Sequence, residues 1–249
     1  MPRDNIIIMT TGSSGSSVLA GTIGQKGYWL GEETKKLKFD TYENAELVDL
    51  DREILRLSGF SRYDCNDIPC PIVEKLFNLP EQIDCSRYQA FVDKCNAHSP
   101  WLWKDPRISF TIHFWSRLID LDRVKFIFIE RNPRQSYAGL ILKRRVPMSY
   151  AQHNLMNENY RKSCQLFLKK YHVDCLQIIF EDLLTDHEKS LRRLGEFLEI
   201  ELNVSDLKKI YKGDLSRNRW TGFDYFRAHL LYIVYRYLRK DYIRFPRID

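Results

Sequence analysis

The sequence predicts an α/β fold of three layers, with helices on both faces of a mostly parallel sheet. Three observations predict it. Residues 5–9 (NIIIM), 124–130 (VKFIFIE) and 175–180 (CLQIIF) are short, dominantly apolar runs of the kind that a strand buried on both faces requires. Each run breaks into a turn and then into residues with helical spacing. At 249 residues, 44% hydrophobic and 13% aromatic, the chain can bury one substantial core, so disorder is not expected and a single domain over 1–249 is the economical reading.

The elements follow in order. The first run ends in TTGSSGSS, after which Val18, Leu19 and Ile23 stand at helical spacing, so a helix is expected to start near Ser16. Strand, glycine-rich turn and helix make a P-loop-like order, which aims backbone N–H groups and a helix N-terminus at one point. Residues 43–58 (ENAELVDLDREILRLS) read as an amphipathic helix, with Leu47, Leu50, Ile54, Leu55 and Leu57 near one side. Residues 60–100, rich in Pro, Asn, Asp and Cys, read as an insertion or lid with short helices around 71–78 and 85–96. Residues 108–119 (ISFTIHFWSRLI) are expected to be helical. The second run ends in RNPRQS before another helix, and the third ends in EDL before a helix over 186–198. Residues 221–249 read as a C-terminal helical extension. In a doubly wound sheet the ligand lies at the carboxyl ends of the strands, so these three turns are where function is sought.

The net charge of +6 is modest and spread out, which suits an anionic small ligand; no nucleic-acid motif accompanies it. The six cysteines form no CxxC pair; four of them fall between 65 and 95, where Asp and His neighbours leave a metal reading open, but reduced thiols in a cytoplasmic protein are the main expectation. The opening MPRDNIIIM has too short an apolar run for a signal peptide, and no apolar stretch reaches the ~18 residues that a membrane span needs.

TTGSSGSS is not the lysine-bearing loop of nucleoside-triphosphate enzymes, because no Gly-Lys-Ser/Thr follows its glycine. It therefore lacks the lysine and the magnesium-binding hydroxyl of that class. The amides and hydroxyls of Gly12, Ser13, Ser14, Gly15, Ser16 and Ser17 still suit a phosphate or sulfate without metal. In FIFIERNPRQSYAGL, Arg131 stands right after the strand and Pro133 sets the turn. Its guanidinium can fork onto phosphate oxygens where helix dipoles also point.

Together these segments resemble the sulfotransferase family, which uses 3′-phosphoadenosine 5′-phosphosulfate as co-substrate. Ser13-Ser14-Gly15-Ser16-Ser17 resembles its 5′-phosphosulfate loop, and ERNPRQSYAGL its 3′-phosphate motif. FEDLLTDHEKSLRRLGEFLEIEL (180–202) is similar to the Tyr-Glu-Asp-Leu segment and the helix after it. WLWKDPRISFTIHFW (101–115) resembles a segment of a bacterial branch, as does the Tyr-Glu start of the helix at 42–57. The resemblance runs from about residue 5 to about residue 220, and implies a P-loop-like fold and sulfuryl transfer without metal.

Two departures stand out. The family carries Arg or Lys where this chain has Ser13, and a serine where it has Gly139. The basic residue stabilises charge that develops on the leaving group. Lys104 is the residue expected to replace it, with Lys26 and Arg107 behind, and Ser136 stands one turn before Gly139. KGDLSRNRW (212–220) resembles the segment that closes over the 3′-phosphate, which would make Ser216, Arg217 and Arg219 anion ligands. GEETKK (31–36) resembles the Gly-Glu-Glu-Thr segment of tyrosylprotein sulfotransferases, which implies Glu33 as the base, with Glu32 open because the spacing differs by one residue. His98 and His113 are alternatives, His113 as a packed core ring otherwise. Tyr28, Trp29, Trp101 and Trp103 either wall an acceptor pocket or belong to the core. KRR (143–145) faces an acidic acceptor or water. The aromatic, basic C-terminal helix docks on the domain or on a second subunit, which would make a homo-oligomer, or lies on a membrane surface. The expected function is transfer of a sulfuryl group to a hydroxyl of a small molecule or carbohydrate. The alternative is a degenerate member that binds the nucleotide or a partner without efficient catalysis.

Overall fold

The computed structural model describes residues 3–36, 40–60, 70–146, 148–213, 215 and 220–238. In chain order the elements are β1 (Asn5–Thr10), α1 (Ser16–Gly24), β2 (Thr34–Lys36), β3 (Asp40–Asn44), α2 (Ala45–Ser58), α3 (Cys70–Asn78), α4 (Ser86–Ala97), β4 (Leu102–Lys104), α5 (Ile108–Trp115), β5 (Val124–Glu130), α6 (Pro133–Arg144), α7 (Tyr150–Tyr171), β6 (Cys175–Ile179), α8 (Phe180–Thr185), α9 (His187–Leu198), α10 (Val204–Ile210) and α11 (Gly222–Leu238). The central sheet has the order β4-β1-β5-β6 and every neighbouring pair is parallel. Ile8 lies opposite both Lys104 and Ile127, and Ile129 lies opposite Ile178, so all four carboxyl ends reach the same edge. β2 and β3 form a separate antiparallel hairpin.

The period-2 geometry of a strand sorts the core into two halves. Ile7, Met9, Phe126 and Phe128 face one way, into a cluster with α2 to α5 and α7. Ile6, Ile8, Ile127 and Ile129 face the other, against α1 and α8 to α10. Helices thus cover both faces, and the three-layer, mostly parallel arrangement expected from the sequence is the one observed.

In the described part of 60–100, Ile72, Leu76, Tyr88, Phe91, Val92 and Cys95 of α3 and α4 are buried in the main cluster. Pro80 and Asp84 stand in the turn that joins α3 to α4. Cys85, Cys95, Cys164 and Cys175 carry free thiols. α11 docks on α6 through Ala228, Tyr225 and Leu231, which meet Tyr137 and Ile141. Phe223, Phe226, Leu230, Ile233 and Tyr237 of the same helix remain exposed.

Two buried histidines make stability depend on pH. His113 hydrogen-bonds the Ser163 hydroxyl at 3.1 Å and His153 that of Ser136 at 2.9 Å. Burial pushes each ring from its ordinary 6.5 down to about 4. The unfolded chain protonates first as pH falls. The stability held by the neutral rings is therefore full above the ordinary value and drains toward the folded one, by about 1.4 kcal/mol per ring per pH unit. The melting temperature is expected to fall steadily from about pH 7 to about pH 5, and a flat profile over that window would count against two neutral core rings.

Candidate active site at the strand ends

The first strand end is clamped from α5. Thr10 N–H donates to Ser109 Oγ at 2.9 Å, and Ser109 Oγ–H donates to Thr10 O at 3.0 Å. Beyond it the backbone is left-handed at Gly12 (φ 76°), Ser13 (51°) and Gly15 (84°), the kind of conformation in which successive amides can form an anion-binding nest. Ser14 is buried and hydrogen-bonded to the Thr10 hydroxyl, which also accepts from Gly12 N–H at 3.3 Å. α1 then starts at Ser16 with neither a side-chain cap nor an acidic residue in its first turn. Its orphan N–H groups and positive dipole end are left facing the loop.

Ser13 brings no charge, and the cation that reaches this region is Lys104, at the end of β4. It is 2% exposed, and its Nζ donates to Ser17 Oγ at 3.0 Å, Thr41 O at 3.1 Å and Glu43 Oε1 at 2.6 Å. Lys104 is therefore neither solvated nor tied to Asp105, which pairs instead with Arg107 at 2.9 and 3.0 Å. Lys26 pairs with Asp206 at 2.7 Å.

At the second strand end Arg131 precedes Asn132, whose side chain accepts from Arg134 N and Gln135 N and so caps α6. The Arg131 guanidinium lies over the Phe180 ring, 5.1 Å from its centroid, and its Nε is 3.5 Å from Glu181 Oε1. Glu181 Oε2 accepts from Asn132 N at 3.1 Å. Phe180 also closes on Gly15: a Cβ there would stand 2.2 Å from the ring. One aromatic side chain at the end of β6 thus touches the loop after β1 and the arginine after β5. Neither Phe180 nor Glu181 was singled out as a site residue from sequence, although both stand in the FEDL segment at a strand end.

Gly139 faces the same corner. A Cβ on it would be 3.3 Å from Trp220 Nε1 and 4.0 Å from Arg131 Nη1, so the indole fills the space that a side chain at 139 would need. Gln135 holds the Trp220 backbone through both ends of its amide, accepting from Trp220 N at 3.0 Å. Ser136, one turn before Gly139, is turned toward α7. It is fully buried and its hydroxyl is committed to His153, because residue 136 falls on the α6 face that packs on α7. Ser136→Ala is expected to cost about 1 kcal/mol in chemical denaturation while leaving nucleotide affinity unchanged; a tenfold loss of affinity in a folded variant would return Ser136 to the site.

Ser216, Arg217 and Arg219 lie outside the described residues. Their flanks, Lys212, Gly213 and Leu215, line a cavity of about 600 Å³ together with Tyr211, Lys208 and His187. The Tyr211 ring is 6.2 Å from that of Phe180, which places this cavity beside the strand ends. A smaller cleft of about 230 Å³ lies between Asn132, Gln135, Glu181 and Tyr225.

Glu32 and Glu33 are exposed at the entry to β2. Glu33 O accepts from Ala45 N at 2.9 Å, which fixes its backbone against the start of α2, and Glu32 lies 4.0 Å from Lys94. Trp101 and Trp103 are core: both are buried, with ring centroids 4.4 Å apart. Tyr28 is also buried, and Trp29 stacks on His98 at 4.7 Å. His113 is a core ring, and Lys143, Arg144 and Arg145 are exposed. Among the described residues no helix is long and apolar enough to cross a membrane, and no His/Cys/Asp/Glu group of three or more is placed to hold a metal.

Comparison with known proteins adds the family. Among curated proteins no sequence matches the chain. Of solved structures, it is similar to the sulfotransferase domain of the olefin synthase of Synechococcus PCC 7002, at 19% identity and a TM-score of 0.45 over 95% of this chain and 88% of that one. It is similar to a sulfotransferase domain from the curacin biosynthetic pathway, at 16% identity and a TM-score of 0.48 over 86% and 80% of the two chains. For a sulfotransferase of Mycobacterium avium the values are 13%, 0.47, 94% and 76%. The sequence model described as the sulfotransferase family matches residues 31–204, well over half of the chain, and on that match the protein belongs to the sulfotransferase family.

Proposed function

We propose that this sulfotransferase moves a sulfuryl group from 3′-phosphoadenosine 5′-phosphosulfate to a hydroxyl of a small molecule or carbohydrate. The observation that carries the reading is the Phe180 ring, packed on Gly15 and under Arg131. It brings two anion-binding features on different strand ends to one place, as a nucleotide with phosphates at both ends of its ribose requires. In this reading the amides of residues 12–17 and the open end of α1 hold the 5′-phosphosulfate. Arg131 takes the 3′-phosphate, and Ser216, Arg217 and Arg219 close over it. The cavity beside Tyr211 takes the adenosine.

The acceptor oxygen attacks sulfur in line with the bridging oxygen. An O–S bond forms, the S–O bond to the phosphate breaks, and the electron pair leaves with the nucleotide. The acceptor's proton goes to Glu33, or to Glu32, as general base. The charge that develops on the leaving phosphate meets Lys104, which works in place of the basic residue absent at Ser13.

Radiolabelled donor tests the reading: label is expected to move to at least one hydroxyl compound of a broad panel, without added metal. Glu33→Ala is expected to lower that transfer by about 10²-fold or more with nucleotide binding kept; unchanged turnover would remove Glu33 from the mechanism. A second reading, binding without efficient transfer, is favoured by one observation: the Lys104 charge beside Ser17 is already countered by Glu43. A folded protein that binds the product nucleotide yet moves no label to any acceptor would establish that second reading.

A further inference from the structure

The Lys104–Glu43 pair raises a physical question. A lysine 2% exposed, with a carboxylate at 2.6 Å and two further acceptors, is held in one place with its charge neutralised. A cation that served only to bind an anion would be best left uncompensated, since a nearby carboxylate competes for it. A cation that served only to brace the fold would not need to reach Ser17, in the first turn of the helix behind the left-handed loop. The pair also spans separate elements. Lys104 ends β4 of the central sheet, whereas Glu43 belongs to β3 of the hairpin, two residues before α2.

We propose that Glu43 is a positioning residue that occupies Lys104 while the loop is empty and gives it up when an anion binds. The Glu43 carboxylate keeps the ammonium beside Ser17, close to the loop, at a cost in affinity. When the 5′-anion of the nucleotide arrives, Nζ exchanges its bond to Glu43 for one to the ligand. Part of the intrinsic affinity is therefore spent on breaking the resident pair, and Lys104 is engaged only when an anion is present. The inference rests on the reading of the loop as a nucleotide site, and no proton or covalent bond moves in it.

The test is the affinity for adenosine 3′,5′-bisphosphate, measured by calorimetry on the full chain. Glu43→Gln keeps the shape of the acceptor and removes its charge, and is expected to tighten binding about fivefold. Glu43→Asp keeps the charge but draws it back by one methylene, and is expected to tighten binding by about half as much on a logarithmic scale. Simple removal of a nearby negative charge would tighten binding in the Gln variant alone, so an Asp variant with wild-type affinity overturns the proposal. In a Lys104→Met background Glu43→Gln is expected to have no effect on affinity, because no cation is left to release; a fivefold gain that persists there also overturns it. Weaker binding in Glu43→Gln would show that Glu43 only braces the fold. If the wild-type protein binds no bisphosphate at all, the nucleotide reading itself falls, and the inference with it.

Discussion

Gly15→Ala is expected to destabilise the protein by about 3 kcal/mol and to weaken adenosine 3′,5′-bisphosphate binding by more than about tenfold. Two separate effects act at that position. The backbone is left-handed (φ 84°), where a Cβ costs roughly 1–2 kcal/mol. The added carbon would also stand 2.2 Å from the Phe180 ring, which is itself buried and lies under Arg131. The ring must move, and its movement disturbs the loop and the arginine together. Gly12→Ala supplies the control. Its φ is similar (76°), but a Cβ there meets nothing within 4 Å, so only the backbone strain of about 1 kcal/mol remains. Thermal denaturation and bisphosphate titration of both variants check the pair of predictions. Equal losses at the two glycines would mean that the Phe180 contact does not hold the site together.

Lys104→Met is expected to reduce sulfuryl transfer by about 10²–10³-fold, since it removes the cation assigned to the leaving phosphate. It also leaves Glu43, whose side chain is 16% exposed, beside an apolar chain with its ammonium gone. Removing one partner of a largely buried pair costs about 3 kcal/mol or more. The double variant Lys104→Met/Glu43→Gln is expected to recover much of that stability and none of the transfer rate. This separation distinguishes a catalytic role from a structural one. If the double variant regained wild-type turnover, Lys104 would have no part in the chemistry.

How much of this was legible in the sequence varies by element. β1, β5 and β6 announce themselves because a strand buried on both faces must be apolar throughout, and α2 because Leu47, Leu50, Ile54 and Leu55 recur at helical spacing on its buried face, although Asp51 is buried among them and Leu57 is exposed. α7 is 22 residues long yet escapes detection: its buried face includes His153, Asn157, Asn159 and Ser163, which break the apolar period. β4 is only three residues long and aromatic, and the β2–β3 hairpin is polar, so neither carries a strand signature. At the site, the Gly/Ser loop and Arg131 are local features, with their turn chemistry written in adjacent residues. The contacts that join them are not local. Phe180 meets Gly15 across the sheet, Lys104 finds Glu43 from 61 positions away, and Ser136 is withdrawn by a histidine on another helix. Spacing along one chain carries no record of such pairings.

In the proposed site two strand ends, joined through Phe180, bind one nucleotide with phosphates at its 3′ and 5′ positions. Titration with adenosine 3′,5′-bisphosphate and with adenosine 5′-monophosphate, in chelator to exclude divalent metal, measures this directly. The bisphosphate is expected to bind at least about tenfold more tightly, the share of affinity that Arg131 supplies to the 3′-phosphate, and Arg131→Met is expected to abolish the difference. Equal affinities for the two nucleotides in the wild-type protein, or no binding of either, would contradict it.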